Sequence, residues 1–294
     1  MPKLAAFPKA YIRALVQGGM NLREWVDLAA PLGLDGLEFY SGFHELADPK
    51  RWPELRRTVE SAGMTIPMMC CSPDFSQPDP TLRRQEIEKE KQWIRMSAEL
   101  GAKYCRVLSG QRRPQLTQDQ GLQIVVENIE ACLPEAEKCG VTLIIENHYK
   151  DDFWEYPEFA QKMDVFLEIV DAIDDRTHFG VQYDPSNAIV AGDDPIELLE
   201  RVKDRVVTMH ASDRYLEPGT TLDELRQTDG TIGYFAKLKH GVTGKGLNDY
   251  DRIFAILKSA NYQGWISIED GMNGMAEMKE SIDFLKRMRD RYFS

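Results

Sequence analysis

Cys139-Gly140-Val141-Thr142-Leu143-Ile144-Ile145-Glu146 carries a helix stop, a short turn, an apolar run and a terminal acid in immediate succession. Gly140 suits a left-handed helix end, and residues 142–145 suit a buried strand. The same order recurs at Leu32-Gly33-Leu34-Asp35-Gly36 and at Leu100-Gly101-Ala102-Lys103. Outward from these points, short strand-like runs alternate with longer helical patterns along the chain. Strands are predicted at 4–7, 36–40, 65–70, 104–108, 142–145, 180–183, 206–209 and 265–268. The first clear helix starts at Asn21 and places Leu22, Trp25, Val26 and Ala29 on one face. Others cover 53–62, 81–100, and the stretch from a Thr117 cap to Cys139, bent at Pro134. The remaining helices run from Pro157 to Ile173, after Asp194-Pro195, over 250–260 and over 276–288. Eight β-then-α units in 294 residues predict an α/β fold, a (β/α)8 TIM barrel forming one domain over 1–294. No linker or composition shift divides it.

The bulk composition narrows the function classes. Apolar residues make up 43% of the chain, enough for a large core. The balance of 36 basic against 48 acidic residues gives −12, a charge that repels phosphate backbones and argues against a general nucleic-acid binder. A small anionic ligand at a local basic patch stays compatible with it. Cys70, Cys71, Cys105, Cys132 and Cys139 form no C-x-x-C pattern, so they read as reduced, mostly buried thiols. No segment has the apolar length of a signal peptide or membrane span, and a cytoplasmic location is the expectation.

Four predicted strands run into residues that can bind a hard metal ion: Glu146, Asp184, His210 and Glu269. Core strands avoid ionisable side chains, because an unpaired buried charge is costly. In a parallel barrel all strand C-termini open on one face, so the four should converge there. Three carboxylates and one imidazole suit one divalent ion such as manganese, magnesium or cobalt better than a thiolate-bound structural zinc.

Other residues near these strand ends are candidates for substrate contact. His148, two residues past Glu146, should face the same side as a general base or hydrogen-bond donor. Arg214 is the best local cation for a substrate oxygen, or a partner for Asp213. Trp154, with Phe153 and Tyr156, makes an aromatic cluster that could stack on a substrate or serve as a lid or subunit contact. The long connection 212–248 should help shape the mouth, with Gly244-Lys245-Gly246 as a turn from which Lys245 could reach it.

The strand-end pattern resembles the xylose-isomerase-like sugar isomerase/epimerase superfamily, from Gly36-Leu37-Glu38 to Ile268-Glu269. In ketose 3-epimerases of that group, a Glu, Asp, His, Glu set holds one divalent ion, commonly manganese. The resemblance therefore implies that Glu146, Asp184, His210 and Glu269 are ligands and that Glu146 and Glu269 shuttle protons. Asp152 occupies the place of a substrate-binding acid in some of these epimerases. Where the family often reads Asp-Pro-x-His, this chain has Asp184-Pro185-Ser186-Asn187, and Asn187 can hydrogen-bond a hydroxyl but cannot carry a proton.

The implied activity is a divalent-metal-dependent sugar isomerase or epimerase that removes a proton beside a carbonyl through an enediolate. The alternative is a lyase on 3-oxo-glycosides, including C-glycosides, with His148 as base; similar enzymes carry a histidine shortly after the first metal glutamate. Some of them need a small partner subunit. Barrels of this family often form homo-oligomers through loop-rich faces. The expected partner is a small sugar or sugar derivative, with neither nucleic acid nor membrane. The related apurinic endonuclease barrels bind several zincs through many histidines, whereas this chain has 5.

Overall fold

The computed structural model describes residues 1–151, 154–226 and 236–294. Its central sheet contains β1 (Lys3–Ala6), β2 (Gly36–Leu37), β3 (Phe39–Tyr40), β4 (Met68–Cys70), β5 (Tyr104–Val107), β6 (Thr142–Glu146), β7 (Phe179–Tyr183), β8 (Val206–Ala211) and, later in the chain, Trp265–Ile268. An antiparallel hairpin, β9 (Asp213–Leu216) with β10 (Leu238–Gly241), precedes that last strand, which is therefore β11. The parallel order is β2-β1-β11-β8-β7-β6-β5-β4-β3. Since β2 and β3 are halves of one strand interrupted at Glu38, the two ends of that order meet and the sheet closes as a barrel.

Strand periodicity decides which side chains enter the barrel. Successive residues of a strand face opposite sides of the sheet. Leu37, Phe39, Met69, Cys105, Val107, Leu143, Ile145, Val181, Tyr183, Met209, Ala211, Ile266 and Ile268 all join the large apolar core shared with the helices. The alternate residues face inward, where Phe7, Met68, Cys70 and Ile144 form a small separate apolar cluster. On that same inward parity lie Glu38, Arg106, Glu146, Gln182, His210 and Ser267, all buried. The barrel therefore has an oily jacket and a largely polar bore.

Side-chain caps start several of the main helices. Asn21 caps Leu22–Ala29 with a capping box, and Leu22, Trp25, Val26 and Ala29 are all buried. Asp79 caps Pro80–Leu100, Asp194 caps Pro195–Val202, and Asp249 caps Tyr250–Ser259. Thr117 caps Gln118–Glu130, but the chain then breaks, and Pro134 lies in the first turn of a separate helix, Leu133–Cys139. The last helix extends beyond the predicted end, over Met275–Phe293.

Two connections differ from expectation. Pro157 does not start a helix; the helix begins only at Met163 and ends at Ala172. The preceding segment is held to the loop after β5: Arg112 N donates to the Pro157 carbonyl, and Phe159 N to that of Gly110. Those bonds take the backbone groups that a first helical turn would use. The long connection contains the β9–β10 hairpin and the helix Leu222–Arg226, while Gly230 and Gly233 lie outside the described residues. All five cysteines are free and four are buried. Among the described residues no helix is long and apolar enough to cross a membrane.

Candidate metal centre and active site

Glu146 is the last residue of β6, Asp184 directly follows β7, His210 is the penultimate residue of β8, and Glu269 directly follows β11. The parallel sheet brings one ligand atom from each within 4.8 Å of the others. Asp184 also caps an unpredicted helix, Pro185–Ala191. Its Oδ1 accepts hydrogen bonds from Ser186 N (2.7 Å), Asn187 N (3.1 Å) and Ser212 Oγ (2.9 Å). Its buried Oδ2 has no hydrogen-bond partner. Asn147 clamps the strand ends together: its side chain donates to the Asp184 carbonyl and accepts from Asp184 N.

This arrangement fits a divalent cation. A buried oxygen without a donor is costly, and Asp184 Oδ2 is left in that state beside two more carboxylates. Burial, then the charges of Glu269 and Glu146, pushes the Asp184 carboxyl up to about 7. A metal ion among the four residues would compensate that concentrated negative charge. The donor set itself, oxygen-rich with one imidazole, suits a hard or borderline divalent ion.

Several residues that the strand-end reading did not single out complete the centre. Arg106 Nη1 lies 2.5 Å from Glu146 Oε2, and Lys9 Nζ lies 2.7 Å from Glu269 Oε1. Burial alone would raise the Glu146 carboxyl, but Arg106 and then His210 outweigh it and hold it at about 2. Lys9 and His210 similarly overcome burial and keep Glu269 well below the ordinary range. Glu38 Oε2 is 2.8 Å from His210 Nε2, and Ser267 Oγ bonds its other oxygen. The available signal was parity: Glu38 and Arg106 are charges at inward positions of predicted strands, where charge is expensive.

His148 lies beside this centre and is half-buried. Its Nδ1 is 3.1 Å from Glu158 Oε2, and its ring stacks on Tyr149 at 5.1 Å. Burial lowers the tendency of His148 to protonate, but Glu158 and then Glu146 reverse that effect and raise its pKa.

The predicted substrate residues have different surroundings. Asn187 is buried, and its Nδ2 lies 3.3 Å from Glu146 Oε1, so it contacts a candidate ligand directly. Arg214 is buried with its guanidinium 5.6 Å from the centre of the Tyr149 ring. Asp213 accepts from the backbone N–H groups of Gly244, Gly246, Asn248 and Arg214, which anchors the connection to β9. Lys245 pairs with Glu280 on the last helix, contrary to the expectation that it reaches the mouth. Trp154 is buried in the segment leading to Glu158. Asp152 and Phe153 lie outside the described residues.

The comparisons with known proteins agree with this architecture. An inosose dehydratase of Geobacillus kaustophilus (strain HTA426) is 25% identical over 233 residues, covering 74% of this chain and 71% of its own. An inosose dehydratase of Bacillus thuringiensis (strain Al Hakam) matches at 23% over only 42% of its length. Among solved structures, a D-tagatose 3-epimerase-like protein superposes with a TM-score of 0.77 at 19% identity, covering 99% of this chain and 98% of that one. Those structural values concern the fold. The xylose isomerase-like TIM barrel pattern spans residues 26–288, so the chain belongs to the xylose isomerase-like TIM barrel family.

Proposed function

We propose that this chain is a divalent-metal-dependent enzyme acting on a polyhydroxylated ketone, a sugar or cyclic polyol. In this reading it removes the proton beside the carbonyl and then expels a β-substituent, as a dehydratase or related lyase. The observation that carries it is the division of roles between His148 and the candidate ligands. Glu146 and Glu269 each have an oxygen engaged by a cation, Arg106 and Lys9 respectively. Such carboxylates are good ligands but poor bases. His148 contacts a separate carboxylate, Glu158, and no ligand, which suits it to move a proton.

A bound divalent ion would polarise the ketone and stabilise the negative charge developing on its oxygen. His148 takes the proton from the adjacent carbon at Nε2. The electron pair left behind becomes the new double bond between the α and β carbons as the β carbon–oxygen bond breaks and the carbonyl is restored. His148 returns the proton to the departing oxygen, so a hydroxyl leaves as water or a glycoside as its alcohol. Arg106 and Lys9 hold the two glutamates in place throughout. The resemblance to inosose dehydratases supports this outcome.

Epimerisation is the second reading. Glu146 Oε1 and Glu269 Oε2 both approach His210 Nδ1, at 3.1 and 3.5 Å, so two carboxylates flank one position and could act as paired proton carriers.

A panel of cyclic polyol ketones, 3-oxo-glycosides and free ketoses, incubated with manganese or magnesium in heavy water, tests the proposal. The expected result is loss of water or aglycone, with His148→Gln slower by about 100-fold or more. Interconversion of ketoses that survives His148→Gln would favour the epimerase. Full activity after rigorous metal removal would refute both readings.

A further inference from the structure

We propose that Glu158, itself held by Ser109, is the positioning residue that fixes His148 in the tautomer protonated on Nδ1. This assignment rests on the reading of His148 as the proton carrier.

Glu158 is completely buried. Its Oε1 accepts from both the backbone N–H and the hydroxyl of Ser109, each at 2.8 Å, and its Oε2 faces His148 Nδ1 at 3.1 Å. Ser109 Oγ in turn accepts from Ala160 N at 2.9 Å. The orientation of the carboxylate is therefore set before the imidazole is considered: the oxygen on Ser109 satisfies two donors, and the second points at the ring. An ionised carboxylate only accepts. The ring must then donate from Nδ1, and Nε2 becomes its basic nitrogen in the neutral form.

The surrounding backbone reinforces this geometry. Gln111 Oε1 accepts from Glu155 N and Tyr156 N, and its backbone forms an isolated bridge with Glu158. Two loops, one after β5 and one after β6, are thus joined at the residue that orients His148. A buried carboxylate could serve only to pin these loops. That role would not depend on which ring nitrogen carries the proton, and this separates the two explanations.

Glu158→Gln makes the separation experimental. The Ser109 N–H still requires an acceptor, so the amide oxygen takes that side and the amide nitrogen faces the ring. It would donate to Nδ1 and move the imidazole proton to Nε2. In protein with 15N-labelled histidine, loaded with diamagnetic magnesium, the wild type should show His148 unprotonated on Nε2, and Glu158→Gln should show it unprotonated on Nδ1. His148→Gln assigns the resonances.

On a ketone that the wild type turns over, Glu158→Gln should lower kcat by about 100-fold or more, leaving KM within about 3-fold. Ser109→Ala, which keeps the carboxylate but loosens it, should lower kcat by only about 10-fold and leave the tautomer unchanged. Unchanged metal affinity in both variants shows that the centre remains folded. A wild-type His148 unprotonated on Nδ1, or a Glu158→Gln enzyme that retains kcat within about 3-fold, overturns the proposal. A wild type inactive on every ketone overturns the proposed function, while the spectrum still decides the tautomer.

Discussion

His210 Nε2 lies 2.8 Å from Glu38 Oε2, while Nδ1 of the same ring faces Glu146 and Glu269 at 3.1 and 3.5 Å. A carboxylate on Nε2 makes that nitrogen the donor and turns the Nδ1 lone pair towards the candidate metal centre. Such support for a metal-binding histidine typically strengthens affinity by about 10–100-fold. Glu38→Gln keeps the volume of the side chain but removes its charge. Its affinity for manganese or magnesium, measured by calorimetry, should fall by about that factor, with the fold intact by circular dichroism. Unchanged affinity would remove Glu38 from the centre.

Asp184 provides a test through stability. Its Oδ2 is buried with no partner, so a bound cation should stabilise the native state. At a metal concentration about 100 times Kd the gain is about 2.7 kcal/mol. Chelation should lower the Tm of the wild type accordingly. Asp184→Asn should have lost metal binding, and its Tm should respond neither to chelator nor to added metal. A variant that still shows a metal-dependent Tm would exclude Asp184 as a required ligand.

Acid should weaken the loop on which the His148 support rests. Asp74 bonds Arg113, Gln111 and Ser76. Burial opposes its ionisation, but Arg113 and then Gln111 outweigh that effect and lower its pKa below the ordinary 3.8. A depressed carboxyl pKa adds stability that is fully present above the unfolded value and is lost as pH falls through the folded one. Wild type should therefore exceed Asp74→Asn by roughly 2 kcal/mol near neutral pH, and the difference should shrink as pH falls through the lowered carboxyl pKa. Urea titrations at several pH values measure it; a gap that widens in acid would reverse the assignment.

Gly110 joins Ser109 to Gln111 at φ +90°, and a Cβ there would lie 2.5 Å from Ser76 N and 2.6 Å from Asp74 Oδ1. Neither the backbone conformation nor the space accommodates alanine. Gly110→Ala should cost roughly 1–3 kcal/mol in thermal unfolding and also slow turnover, because it displaces Ser109 beneath Glu158. Wild-type stability in this variant would show that the loop yields more readily than its packing implies.

Parts of this protein were legible from local pattern. Gly33, Gly101 and Gly140 mark helix ends in the left-handed conformation, and the repeated strand–helix spacing led to the barrel. The four strand-end residues could be picked out because they interrupt apolar runs. Local pattern misled at Pro157: its position suits a helix start, but bonds from Arg112 and Phe159 to the neighbouring loop occupy the segment.

The sequence by itself determined the order of the barrel strands, the inward parity of the polar positions and the chemical types at the strand ends. Those features depend on propensity and a period of two, both local properties. Only the tertiary structure decided which charges meet. Arg106 and Glu146 are separated by 40 residues, Ser109 and Glu158 by 49, and Lys9 and Glu269 by 260. Their contacts depend on closure of the barrel and the paths of its loops, and local periodicity cannot specify either one.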